Sequence, residues 1–317
     1  MAGGAPPPAE TAVRHLSKDE LAEADRIVRL AFGTFLGLPD PMRFMGDGDY
    51  VRTRYAADPS AALAAELDGR LVGTNFVTRW GSVGFFGPLA VLPELWNQGV
   101  ARALLASTLE VFESWGVTHS GLFTFPQSPK HIALYQSVGF SARFLTPIMA
   151  RHVAGSSAEL SLYSEAPDKP ATLGLARELT DELYPGLDLE REIEAAYAQG
   201  LGDTVLVHEG SDLAAFGVCH VGAGSEAGSG LCYVKFGATR PGKDAAGNFA
   251  RLLDACEAYA ASREATSIHA GVNLARRNAY EIAVEKGYRP IFVGVAMHHP
   301  DEGAYHHPGA YAIDDWR

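Results

Sequence analysis

Cysteine is scarce: Cys219, Cys232 and Cys256 are the three in 317 residues, all in the C-terminal half and with no CxxC spacing. That excludes a disulfide framework and a thiolate zinc site, and it fits free thiols in a reducing compartment. Basic residues are outnumbered, 26 against 38 acidic, for a formal net charge of -12. A chain so acidic is not built to wrap nucleic acid or to lie on anionic lipid. No apolar run reaches the roughly 18 residues a membrane span needs. The opening MAGGAPPPAETAV has no basic segment followed by an apolar one, so no secretion signal is expected. A cytoplasmic protein is the expectation these absences leave. His298, His299, His306 and His307 cluster near the end without Cys or Asp ligands at fixed spacing, so no metal is expected, and 299–317 reads as a flexible tail.

What is present suffices for two cores: 317 residues, 47% of them hydrophobic. Residues 1–11 are Ala-, Gly- and Pro-rich and read as disordered. Ser17 with Glu20 three residues on forms a capping box ahead of the stripe Leu21, Ala24, Ile27, Val28, Ala31, which predicts a helix. Segment 34–58 is broken by Pro and Gly. Strands follow, joined through Asp68-Gly69 and Gly81, then a helix ending at Gly116, a strand, a short helix and the strand ARFLTPIMAR. Small and polar residues over 152–169 mark a linker. The order of elements then repeats over 170–298, so the boundaries are 12–151 and 170–298.

The most informative stretch is FFGPLAVLPELWNQGVAR, residues 85–102. An apolar run stops at Pro93, a polar turn follows, and a helical apolar period begins at Val100. A strand-turn-helix of this kind points unpaired N–H groups and the positive end of a helix dipole at one place, an anion site suited to a diphosphate. Gly99 permits close approach and Ala101 leaves room. Downstream comes SPKHIALYQSVGF, residues 128–140, a short helix carrying Ile132, Tyr135 and Gln136.

Together these two segments resemble the signature segments of the GCN5-related N-acetyltransferase (GNAT) superfamily. Gly99 and Ala101 fall on the two small positions, Tyr135 on the tyrosine, and Gly139-Phe140 on the closing pair. Trp96 stands where Arg or Gln is usual, and Ser128 where Asn is usual. The resemblance implies an α/β fold of two tandem GNAT-like domains, each a mixed, mostly antiparallel sheet flanked by helices. It implies acetyl-CoA as co-substrate and transfer of an acetyl or short acyl group to a primary amine of a small molecule or peptide, by direct attack, in a monomer or homodimer. The cofactor would be held by the backbone of Leu89, Ala90 and Val91, by the turn amides of Asn97, Gln98, Gly99, Val100, Ala101 and Arg102, and by Ser128. Tyr135 would give a proton to the leaving sulfur.

Ser128 also reads as an ordinary helix N-cap before Pro129. Glu94 and His119 read as surface residues and His131 as structural, and Trp96 either stacks on adenine or anchors its loop. Phe35, Met42, Phe44, Met45 and Tyr55 suggest an apolar acceptor wall, while Asp40, Asp47 and Asp49 offer charge for an amine. The second repeat keeps Asn273 and Tyr280 at the family spacing, but its glycine comes late, at Gly287, and Asp244 stands near its anion turn, which reads as a non-catalytic copy. A protein of the same fold that senses acyl-CoA or binds a small molecule without turnover is the competing reading.

Overall fold

A computed structural model describes residues 11–155 and 158–317. The expected disorder over 1–11 falls, apart from Thr11, outside the described residues. The first half runs β1 (Ala12–His15), α1 (Leu21–Phe35), α2 (Tyr50–Ala57), β2 (Ala62–Leu67), β3 (Arg70–Trp80), β4 (Val83–Phe86), β5 (Ala90–Val91), α3 (Val100–Ser114), β6 (His119–Thr124), α4 (Pro129–Gln136) and β7 (Ser141–His152). The second runs α5 (Lys169–Leu183), α6 (Glu190–Ala198), β8 (Gly202–Glu209), β9 (Asp212–Gly222), β10 (Gly228–Thr239), α7 (Ala245–Ser262), β11 (Ser267–Gly271), α8 (Arg277–Glu285), β12 (Arg289–His299) and β13 (Ala312–Ile313).

Local signals explain many of these elements. The Ser17/Glu20 capping box forms ahead of α1, and Ala24, Ile27, Val28 and Ala31 are its buried stripe. Asp68 and Gly69 both take positive φ, 50° and 74°, as a tight β2–β3 hairpin turn requires.

The strands make one sheet in the order β1-β2-β3-β4-β6-β12-β7-β11-β10-β9-β8, with β5 on β3 and β13 on β10. Its ladders are antiparallel except β4–β6 and β10–β11, so the sheet is mixed and mostly antiparallel. The two repeats exchange their last strands. β7 forms where ARFLTPIMAR predicts a strand, yet it lies between β12 and β11 of the second repeat, while β12 lies between β6 and β7. Period-2 patterning marks a strand but not its neighbour, so this exchange is invisible in the sequence.

The expected flexible tail is corrected by its burial: Tyr305, His306, Ala312, Ile313, Asp314 and Trp316 are all buried. Trp316 lies where a Cβ on Gly121 would stand, 2.0 Å from its ring, and its indole N–H donates to the Tyr305 hydroxyl at 3.1 Å. Asp314 pairs with the fully buried Arg276 at 2.6 Å. Nearer α2, Arg54 donates to Glu226 at 3.0 Å, Lys235 bridges Glu226 and Glu192 at 2.9 Å each, and Trp80 donates to Glu192 at 3.1 Å. Burial alone would raise the Glu226 carboxyl, but Arg54 and Lys235 outweigh it and hold it well below the usual range.

Buried histidines make this seam acid-sensitive. His119, expected at the surface, is instead buried at the start of β6, and its Nε2 shares with Nδ1 of His298 one hydrogen bond at 3.0 Å, which two protonated rings could not keep. Burial pushes His119 and His220 down to about 4, helped by His306 at His119 and by Lys235 at His220. Their folded pKa values lie below the unfolded value of about 6.5, so their stability contribution is complete above that pH and is lost as pH falls. At about 1.4 kcal/mol per pH unit for each ring, these two lose on the order of 5 kcal/mol between about pH 6.5 and 4.5. We expect denaturant midpoints to drop steeply over this interval; a stability unchanged between them would contradict the assignment of these rings as neutral.

Candidate active site

The cleft is built where β4 and β6 part. Their parallel ladder ends at Phe85–Gly121, and the chain then turns through Gly87 and Pro88 before β5 pairs with β3 instead. Pro88 has no N–H to extend a ladder, which suits a strand break. Into the fork reaches Tyr135 from α4, its ring 5.9 Å from Phe86 and its hydroxyl under the influence of the Thr124 side chain at the end of β6. Tyr135 is 8% exposed, and burial raises its phenol to about 12 while the Thr124 contact opposes the rise. The phenol is therefore protonated at neutral pH.

A cleft of about 700 Å³ opens from this fork. Leu89, Ala90, Val91, Asn97, Gly99, Val100, Ala101, Arg102 and Tyr135 all line it, so most of the sequence-derived site residues come together. Gln98 and Ser128 are not among the lining residues. The Gln98 side chain donates to the Glu94 carbonyl at 3.1 Å, and its backbone N–H is directed to Leu95 at 3.4 Å. The Ser128 hydroxyl accepts the His131 N–H at 3.4 Å, the N-cap arrangement.

The turn has the form an anion site needs. Asn97 and Gly99 take positive φ, 67° and 92°, and Gly99 caps α3. Val100 and Ala101 open the helix, so their N–H groups have no carbonyl one turn back within it. The Arg102 N–H is satisfied by the Gly99 carbonyl at 2.9 Å, leaving its side chain to act. A Cβ on Gly99 would meet no heavy atom within 4 Å, so this approach is open. Arg102 and Lys130 line the cleft, and among its described lining residues none is acidic. These features fit a diphosphate.

Trp96 anchors the loop: its indole N–H donates to the Val91 carbonyl at 2.8 Å, and the Lys130 ammonium stands 5.5 Å from its ring. One strand acceptor foreseen for the pantetheine arm is thus engaged. Arg54 donates to the Gly87 carbonyl while held by Glu226, tying the strand break to the second half. Sequence reasoning missed Arg54, because its partner lies 172 residues away.

The corresponding slot of the second half is filled by its own chain. β10 continues past its parallel ladder with β11, and β13 pairs there with Gly237 and Ala238. The Asp314 N–H then reaches the Gly271 carbonyl at the end of β11, 3.0 Å away. Asn273 donates to Thr146 on the exchanged strand β7 at 3.0 Å.

Comparisons with known proteins follow this geometry. No curated protein matches the sequence. A proposed acetyltransferase from Pyrococcus horikoshii is 14% identical with a TM-score of 0.69, covering 96% of this chain and 95% of its own. A GCN5-related N-acetyltransferase from Sphaerobacter thermophilus is 13% identical with a TM-score of 0.57, over 91% and 95%. At such identities these likenesses establish the fold. Residues 31–140, which hold the fork, the anion turn and Tyr135, match the acetyltransferase (GNAT) family.

Proposed function

We propose that the first half is an N-acyltransferase that moves an acetyl or short acyl group from coenzyme A to a primary amine in a ternary complex, and that the second half is a non-catalytic repeat. The observation that carries this reading is the convergence of Tyr135, the β4–β6 fork and the αL-capped start of α3 on one cleft. Acyl-coenzyme A, when bound, supplies the activated thioester. The Gly99, Val100 and Ala101 amides bind its diphosphate, with Arg102 and Lys130 adding positive charge. The backbone of Leu89–Val91, apart from the Val91 carbonyl held by Trp96, orients the arm, and Tyr135 holds the proton needed by the departing sulfur. Among the described residues that line the cleft none is a carboxylate, and the amine's proton leaves to water.

The expected stoichiometry is one coenzyme A per chain, since β13 fills the second slot. Ala101→Glu places a carboxylate beside the diphosphate amides and should weaken binding at least about a hundredfold, while α3 keeps a good helix former. Titration calorimetry on both proteins checks this: two equal sites, or none, would reject the reading. A protein that binds once but turns over no amine would be the sensor, a reading favoured by the Trp96 bond to Val91.

A further inference from the structure

The cleft has two chemically different ends. One carries the turn amides, Arg102 and Lys130. The other is a wall of aromatic rings brought together from three elements: Phe32 and Phe35 on α1, Phe125 just beyond β6, and His131 on α4. Phe35 lies 4.6 Å from Phe125 and 4.8 Å from His131, and Phe32 lies 6.2 Å from Phe125. All four rings are partly exposed, so apolar faces remain uncovered inside a concave site.

This wall is braced from behind. Phe44 stacks on Phe32 at 5.2 Å, and Phe292, on the exchanged strand β12, meets Phe125 edge-on at 5.8 Å. The second repeat thereby contributes to the shape of the first repeat's cleft. Nothing on the wall suits a polycation. Asp40, Asp49 and Asp58 cap helices, and Asp47 accepts from Ser229, so the carboxylates of segment 34–58 are committed elsewhere.

We propose that the aromatic end of the cleft binds an aryl or similarly flat apolar group of the substrate, carried on the acyl thioester or on the acceptor amine. The inference rests on the acyltransferase reading and deepens it. Burying a ring-sized apolar surface against rigid aromatic faces favours such a ligand by about ten- to a hundredfold over its methyl counterpart. A merely structural wall would give no such preference.

Two arms separate the sources. Calorimetry compares coenzyme A, acetyl-coenzyme A and phenylacetyl-coenzyme A; turnover with acetyl-coenzyme A compares propylamine with phenethylamine. The aryl ligand should be favoured at least about tenfold in one arm, by affinity or by kcat/KM, and that arm identifies which substrate carries the group. Phe35→Ala should cut the preference ratio at least about fivefold, and Phe125→Leu, which keeps apolar bulk, should do the same. Equal behaviour in both arms, or a ratio untouched by both variants, overturns the inference while bound coenzyme A leaves the acyltransferase reading standing. Failure of coenzyme A itself to bind overturns that reading and the inference with it.

Discussion

Tyr135→Phe is expected to lower kcat by about one to three powers of ten while acetyl-coenzyme A binding changes little. The substitution keeps the ring that packs on Phe86 and removes only the hydroxyl. With a phenol raised to about 12, the acid form persists through the alkaline range, so wild-type kcat should show no decline from this group below about pH 11. Tyr280→Phe is the control. Tyr280 packs against the second core, in the repeat whose slot β13 fills, and its loss should leave turnover almost untouched. Steady-state kinetics with an acceptor found by screening tests both. Equal rates for wild type and Tyr135→Phe would remove the acid role, and a large loss from Tyr280→Phe would move catalysis to the other half.

Trp316→Ala should destabilise the whole molecule by about 3–5 kcal/mol, the usual cost of emptying a buried indole site. A fall in Tm of roughly 10 °C follows for a chain of this size. The indole is 2% exposed, fills the space left by Gly121 on β6, and contacts His298 on β12 and Tyr305. It therefore ties the first repeat to the exchanged strand and to its own segment. Circular dichroism melts measure the effect. A Tm within two degrees of wild type, about a fifth of the expected fall, would mean that 299–317 is the loose tail its composition suggests. Glycine and proline content misleads here because His306, Asp314 and Trp316 find partners only in the folded seam: Asp314 with Arg276, and the two rings with one another and with His298.

Local physics made much of the cleft legible. A glycine at φ 92° opening a helix, an apolar run halted by proline, and a tyrosine one short helix downstream are features whose causes lie within a few residues. Thus Gly99 and Ala101 could be placed from the turn itself, Tyr135 from the family resemblance, and the repeated order of elements from the pattern of the chain. Side-chain detail at Gln98 and Ser128 was less legible, because each has a nearby backbone partner that competes with a ligand.

Tertiary structure decided the rest. Whether β7 pairs with β6 or with β11 depends on which edges remain open once both sheets form, and hydrophobic alternation is the same in either case. The Arg54–Glu226 pair spans 172 residues, and the aromatic wall joins side chains from α1, β6 and α4 with support from β12. Sequence fixes which groups can bind or donate a proton; only long-range packing, paid for by burial of both cores, determines which of them share a cleft.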